Sequence, residues 1–245
     1  MQHQKIKGLV IRETNFGEAN RYITVLTEQG MKIEVLCKNA RNSKLSAAIR
    51  IFCFSEFTLY QKNDKYTLND AMLIHSFWGV TQDVEIYALS CYFAECAMAL
   101  TESIENHPQI TKLILYTLRA ISEQSREQKL VKAAFELKIM AICGFAPDLS
   151  VCGACLKPIN GQVYFSVREG VVLDESCKNR IGKGDFVALS SGTYEAMKYI
   201  LSKEKIFAFT LGQDSLNQLS IICEQYMLYH LARGFASLDF YKTLF

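Results

Sequence analysis

This 245-residue sequence lacks the features that identify secreted and membrane-spanning proteins. No stretch is apolar for long enough to span a bilayer, which takes about 20 mostly apolar residues. The N-terminal residues MQHQKIKGLVIRETNF contain neither the apolar centre nor the small-residue cleavage site of a signal peptide. We therefore expect a cytoplasmic protein. Because half of the residues are hydrophobic, we also expect a folded chain rather than a disordered one.

The sequence motifs of the common enzyme classes are also missing. There is no G-x-x-x-x-G-K-[ST], no G-x-S-x-G and no H-E-x-x-H. The four histidines are isolated from one another along the chain: His3, His75, His107 and His230. An isolated histidine is more often a surface or core residue than a catalytic base, so we expect no catalytic activity.

The charge is nearly balanced, with a formal net charge of +2, but it is unevenly distributed. Residues 1–50 contain nine Lys and Arg against four Glu, a net charge of +5, which leaves −3 for the rest of the chain. This asymmetry indicates an anionic partner for the N-terminal part.

Five short runs in the first 75 residues have β-strand character. They are Lys5–Arg12, Tyr22–Leu26, Lys32–Cys37, Phe52–Tyr60 and Tyr66–His75. Five strands close the barrel of an OB-fold, a fold that binds oligonucleotides. We therefore predict an OB-fold nucleic-acid-binding domain over residues 1–78.

The pattern changes to a helical period after Trp78. The predicted helices are Asp83–His107, Ile110–Glu123, Gln128–Cys143, Ser190–Ser202 with Ser190 or Ser191 as N-cap, and Asp214–Ala236. Residues 147–186 lose this period. The prediction is an α+β protein with a helical domain over 79–149 and 187–245 and a zinc-ribbon-like insertion over 150–186.

The nine cysteines fall into two groups. Six lie in apolar or amphipathic runs and are interpreted as core residues: Cys37, Cys53, Cys91, Cys96, Cys143 and Cys223. Cys152-Gly153-Ala154-Cys155 is instead a C-x-x-C knuckle, whose two thiolates can hold one tetrahedral metal. The matching second half reads Asp174-x-x-Cys177. A Cys₃Asp zinc site is therefore possible, and the alternative is a degenerate knuckle with free thiols.

Residues 38–50 form the most basic segment of the chain. It contains Lys38, Arg41, Lys44 and Arg50 and no acidic residue. We predict that these four residues contact DNA phosphates, with Arg21 and Lys32 as weaker candidates. The alternative is a solvated loop.

Several local blocks resemble the RecO family. Phe135–Lys138, Cys143–Pro147 and Cys152–Cys155 are similar to its F-E-L-K…G-[YF]-x-P-x-L-x-x-C-x-x-C block. Further similar blocks are Gly8–Ile11, Glu18–Leu26, Gly30, the Lys38…Arg41…Lys44 segment and Ser237–Phe240. The sequence departs from the four zinc cysteines of many members at Asp174.

The resemblance implies an OB-fold, a helical domain and a zinc ribbon. It also implies a nucleoid-associated protein that binds single- and double-stranded DNA and anneals complementary strands. With RecR, such a protein helps load a RecA-type recombinase onto strands coated by single-strand-binding protein. It would also bind the acidic, apolar C-terminal tail of that protein, for which Lys132, Phe135 and Lys138 are candidates. The alternative for these three is a core phenylalanine beside solvated lysines.

Two other functions stay open from the sequence. An RNA-binding OB-fold protein would use the same barrel. A zinc-dependent hydrolase would need an open metal position beside an acid–base group, for which Glu169 and Glu175 are the nearest candidates.

Overall fold

The computed structural model describes residues 2–40, 45–101, 107–181 and 185–245. The strands are β1 (Gln2–Phe16), β2 (Asn20–Thr27), β3 (Lys32–Cys37), β4 (Cys53–Lys62), β5 (Lys65–Ser76), β6 (Asp148–Cys152), β7 (Val163–Ser166), β8 (Val171–Asp174) and β9 (Phe186–Leu189). The α-helices are α1 (Val84–Leu100), α2 (Pro108–Ser122), α3 (Gln128–Ile142), α4 (Glu175–Ile181), α5 (Ser191–Ser202), α6 (Gln213–Leu231) and α7 (Ala236–Lys242).

The first five strands close into a barrel in the order β1-β2-β3-β5-β4, and β1 then pairs with β4. The neighbours are antiparallel except β3 and β5, which run parallel. β1 pairs with two neighbouring strands. Gln2–Leu9 pairs with β4, and Gly8–Phe16 pairs with β2, with a bulge after Val10. The predicted five-stranded OB-fold is confirmed.

The barrel interior is apolar because its strands alternate. β4, for example, alternates strictly between buried and half-buried residues over its first eight positions. The buried cluster consists of Val10, Ile23, Val25, Ile33, Val35, Cys37, Ala40, Ile49, Phe57 and Leu59. Cys37 is therefore a core residue, as predicted.

The turn between β2 and β3 contacts the start of α2. Gly30 has a φ of 83°, and a Cβ there would lie 2.1 Å from the carbonyl oxygen of His107, so only glycine fits. Thr111 in α2 donates a hydrogen bond of 2.7 Å to the carbonyl oxygen of Thr27. These contacts tie α2 to the barrel.

The predicted helix Asp214–Ala236 is wrong in one respect, since two helices occupy this region. α6 ends at Leu231, where Ala232 takes a left-handed conformation with a φ of 48°, and α7 starts at Ala236. Glu95 of α1 accepts a hydrogen bond of 3.0 Å from the backbone N–H of Ser237 near the start of α7. The left-handed conformation of Ala232 therefore ends α6, although the apolar pattern of the sequence continues beyond it.

The second sheet has four short strands in the order β6-β8-β7-β9, with β7 and β8 forming a hairpin. It is followed by α5, whose predicted N-cap is confirmed: the Ser190 hydroxyl accepts a hydrogen bond of 3.1 Å from the N–H of Thr193. α3, α5 and α6 pack against one another.

Contacts divide the chain into two compact units, residues 1–125 with 235–245, and residues 126–234. This division groups α1 and α2 with the barrel, whereas the predicted helical domain joined them to the later helices. The predicted domain boundaries stay predictions. Among the helices that the structure describes, none combines the length and apolar character needed to cross a membrane.

Candidate metal site and nucleic-acid interface

The C-x-x-C knuckle and the D-x-x-C segment meet at one end of the four-stranded sheet. Cys152 ends β6, and Asp174 ends its neighbour β8, with Cys177 one turn later in α4. Gly153 lets the knuckle close, because a Cβ there would lie 3.0 Å from the Val171 side chain. The strand pairing therefore brings together the two halves that are separate in sequence.

The four candidate ligands form a compact cluster. The sulfurs of Cys152, Cys155 and Cys177 and a carboxylate oxygen of Asp174 lie within 4.8 Å of one another. Tetrahedral Zn²⁺ with Zn–S bonds of about 2.3 Å needs sulfurs about 3.8 Å apart, so no pair of these atoms has to approach by more than about 1 Å to complete the site. This cluster could hold a metal ion, and its donors suit zinc.

The cluster already favours one thiolate. Burial opposes ionisation of the Cys152 thiol, but the backbone N–H groups of Asp174, Cys155 and Ala154 point at its sulfur and lower its pKa to about 7. Burial and hydrogen bonds to the neighbouring sulfurs raise the pKa of Cys177 to about 12. A bound dication would favour deprotonation of all three thiols.

Asp174 is held in place by its own neighbours. Its Oδ1 accepts hydrogen bonds of 2.8 Å from the Cys177 N–H and from the Ser176 hydroxyl, and these bonds lower the pKa of its carboxyl. Its Oδ2 lies 3.8 Å from the Cys155 sulfur. The carboxylate is therefore ionised and oriented toward the thiols.

Several of the predicted DNA contacts lie at one end of the barrel, formed by the β1–β2 hairpin and the end of β3. We call it the hairpin end. Arg21 is the second residue of β2 and pairs with Cys37 across the sheet, which places Lys38 one residue farther on. Arg21 forms an ion pair with Glu13, whose other oxygen accepts a hydrogen bond of 3.0 Å from the N–H of Ile51.

Lys38 and Arg50 are exposed. Lys38 follows Cys37, the partner of Arg21, and Arg50 precedes Ile51, whose N–H donates to Glu13. Lys32 is not brought to the same place, because it begins β3 at the opposite end of the barrel, paired with Leu26. Arg41 and Lys44 lie outside the described residues. The structure thus places Arg21, Lys38 and Arg50 near one another at the hairpin end.

The site predicted on α3 for a partner tail is contradicted by burial. Phe135 is fully buried, so it cannot line an exposed pocket. Lys132 is 4% exposed, and its ammonium forms ion pairs of 2.7 Å with Glu136 and Glu224. Lys138 donates instead to carbonyl oxygens at the end of α5. These three residues hold the helices together.

The sequence analysis missed two exposed aromatic residues at the hairpin end. Phe16 ends β1 and Tyr22 lies near the start of β2, and their ring centroids are 5.2 Å apart. Tyr22 is assigned only to the start of a predicted strand, and Phe16 lies outside the predicted strands. The sequence signal was available in the neighbouring residue: Tyr22 directly precedes Ile23, which packs in the barrel core, and successive side chains of a strand point to opposite faces.

Comparison with known proteins covers almost the entire chain. Family models described as "Recombination protein O N terminal" and "Recombination protein O C terminal" match residues 1–77 and 81–239. A DNA repair protein RecO of Acetivibrio thermocellus is 30% identical across 100% of this chain and 98% of its own length. That of Caldicellulosiruptor bescii is 28% identical over 98% of each chain. That of Bacillus pumilus is 29% identical over 71% of this chain and 68% of its own.

These names describe DNA repair and mention no catalytic activity. The matched models span both the barrel and the helices with the cysteine cluster. The chain therefore belongs to the RecO family of DNA repair proteins.

Proposed function

We propose that this chain is a non-enzymatic recombination mediator that binds single- and double-stranded DNA and anneals complementary strands. With RecR it helps load a RecA-type recombinase onto DNA covered by single-strand-binding protein. The observation that carries this proposal is the family match over the barrel, together with the group of cations at its hairpin end.

Phosphate contact is assigned first to the exposed cations of the basic segment. Lys38 and Arg50 extend from the hairpin end without an ion pair in the described part of the chain. Arg41 and Lys44 belong to the same segment and to the same proposal. Arg21 is weaker, because Glu13 already neutralises it. Lys32 would contact DNA only if the bound DNA strand runs along the full length of β3.

The test is a salt-dependent binding curve for single- and double-stranded DNA with Lys38, Arg41, Lys44 and Arg50 all replaced by alanine. Each phosphate contact releases counterions when DNA binds. The slope of log affinity against log salt should therefore become shallower by about one for each contact that is lost. Lys198→Ala with Lys205→Ala removes two exposed lysines of the other unit and is the charge-matched control for the double variant Lys38→Ala with Arg50→Ala. Unchanged affinity and slope in the quadruple variant would remove this surface from the proposal.

Annealing tests the mediator role separately from binding. The unmodified protein should accelerate pairing of complementary strands coated with single-strand-binding protein, and RecR should promote recombinase loading on them. The tail of single-strand-binding protein stays a proposed partner, but it needs a surface other than α3. If matched RNA competes as well as DNA for the barrel, the RNA-binding alternative is favoured instead.

We further propose that the cysteine cluster binds zinc as a structural ion. Cys152, Cys155, Asp174 and Cys177 together fill a tetrahedral shell, whereas a catalytic zinc keeps one position open for water or substrate. The closed donor set argues against a hydrolase. Because the ligands gather only in the folded state, the binding free energy would stabilise the sheet that carries them.

A further inference from the structure

Two large aromatic side chains stand exposed beside each other on the outer surface of the barrel. Phe16 is 53% exposed and Tyr22 is 37% exposed. Their rings meet edge to face at an angle of 65°. The β1–β2 register explains the contact: Tyr22 lies opposite Thr14, and Phe16 is two residues beyond Thr14 on the same face.

This aromatic pair lies on the face that OB-folds use for nucleic acid, which is formed by strands 2 and 3 and bordered by the loop between strands 1 and 2 and that between strands 4 and 5. Tyr22 is on β2, opposite Leu36 of β3. Phe16 directly precedes the β1–β2 turn, where Gly17 has a φ of 62°. The side chain of Asn20 accepts a hydrogen bond of 3.1 Å from the N–H of Asn39, which ties that turn to the start of the basic segment.

Cations border the pair on two sides. Lys38 extends from the end of β3 directly beside the hairpin. On the other side of β3, the parallel pairing of Val35 with Tyr66 brings in the β4–β5 turn, whose flanking residues Lys62 and Lys65 are both exposed. Acidic residues are exposed here as well: Glu34 on β3, Glu18 in the β1–β2 turn and Asp64 between Lys62 and Lys65, so the surface is not uniformly basic. Lysines at the borders and aromatic rings between them fit a strand whose phosphates contact the lysines and whose bases turn inward.

We propose that Phe16 and Tyr22 form a base-stacking platform that selects single-stranded over duplex DNA. The inference rests on the proposed DNA-binding function and adds strand preference to it. Bases of a single strand are free to stack on aromatic rings, whereas the faces of bases within a duplex are covered by their neighbours. Phosphate contacts alone would bind both forms.

The experiment compares one single-stranded oligonucleotide with the duplex made from it, each titrated at several salt concentrations against the full-length chain. The variants are Phe16→Ala, Tyr22→Ala and the double variant, with Tyr22→Phe as the conservative change. Phe240→Ala is the control, since Phe240 is an equally exposed aromatic residue on α7. Circular dichroism and thermal unfolding check that the barrel is intact.

The double variant should bind the single strand roughly ten-fold more weakly or worse, because stacking contributes substantially for every base. Its duplex affinity should stay within about two-fold, and its salt slope should not change, because no phosphate contact is lost. Tyr22→Phe keeps the ring and should bind like the unmodified protein, as should Phe240→Ala.

Three results would overturn the platform. An unchanged single-strand affinity in a folded double variant would mean that the pair only stabilises the hairpin. An equal loss for single strand and duplex would mean that the contact is not base stacking. If the unmodified protein binds neither form, the proposed DNA-binding function fails first, and the platform fails with it. If DNA binding is lost only when the basic residues are removed, the DNA-binding function holds and the platform does not.

Discussion

The five-stranded barrel and the four-stranded sheet are both built from β-strands, but their interiors differ in chemistry. The barrel encloses ten buried residues, nearly all aliphatic or aromatic. The four-stranded sheet buries residues such as Phe165 and Val172, but the cluster beside α4 consists of Cys152, Leu173 and Cys177, with half-buried residues such as Tyr164 packed against them. Two of these three buried residues are candidate metal ligands.

The difference shows two ways of stabilising a small sheet. Ten interlocking side chains can supply the free energy of folding for a closed barrel by removing apolar surface from water. The cluster beside α4 has only three buried residues on strands of four or five residues, and small units of this kind commonly depend on a metal or disulfides. We therefore expect the two sheets to respond independently to metal removal and to cavity formation.

The largest expected effect is that of Cys152→Ser on the four-stranded sheet. Structural zinc sites in small domains contribute on the order of 10 kcal/mol of apparent binding free energy, and loss of one buried thiolate removes most of it. Metal content should fall from about one ion per chain toward zero. Amide hydrogen exchange should accelerate over residues 148–177, while β1–β5 keep their protection.

The control for this experiment is Cys143→Ser, because Cys143 is a half-buried thiol at the end of α3 outside the cluster. It should keep its metal and its exchange pattern. A chelator added to the unmodified protein should reproduce the effect of Cys152→Ser. Protein purified without chelator that holds no zinc, and gains none when zinc is added, would show that the cluster is only a remnant.

Phe57→Ala should have the converse effect, on the barrel alone. Phe57 is fully buried in the barrel cluster, and removal of such a ring typically costs about 3–5 kcal/mol because a cavity remains. Urea unfolding followed by hydrogen exchange should show loss of protection in β1–β5 with metal content unchanged. Met72→Ala on β5 is the control, since Met72 is 60% exposed. Simultaneous loss of the zinc-site sheet would contradict independent stabilisation.

The barrel and the metal cluster were predictable from sequence because their signals are local. Alternation over a few residues predicts β1–β5, and the spacing of C-x-x-C to D-x-x-C predicts the cluster. The prediction of a partner-tail site on α3 was wrong because the environment of Lys132 depends on a residue that is distant in the sequence. Lys132 looks like a surface lysine until Glu224, 92 positions later in the chain, is placed beside it in the core.

Lys138→Gln tests what this lysine does in place of binding a partner. Its ammonium donates hydrogen bonds of 3.0–3.1 Å to the carbonyl oxygens of Ile200, Leu201 and Lys203, where α5 ends. A cation at a helix C-terminus is favourable, so we expect a loss of about 1–2 kcal/mol in the free energy of unfolding of residues 126–234.

The matched control is Lys198→Gln. Lys198 is an exposed lysine on α5 that forms an ion pair with Glu195 and lies over the Tyr194 ring, and its loss should cost less than about 0.5 kcal/mol. Titration with a peptide of the single-strand-binding protein tail should give the same affinity for both variants. Weaker binding by Lys138→Gln alone, without a stability change, would return α3 to consideration.

Asp174→Cys has the smallest expected effect, and it strengthens rather than breaks the metal site. Zn²⁺ prefers the softer thiolate, so a fourth sulfur should tighten binding, by about ten-fold as an order of magnitude. The gain is limited because the carboxylate's two hydrogen bonds, from the Cys177 N–H and the Ser176 hydroxyl, are weakened in exchange. Competition against a chromophoric chelator measures the affinity, and Cd²⁺ in place of Zn²⁺ should amplify the difference. Ser176→Ala, which removes only one of those hydrogen bonds, should change the affinity little. If Asp174→Cys and Asp174→Ala both bind zinc as the unmodified protein does, Asp174 is not a ligand and the three cysteines hold the ion without it.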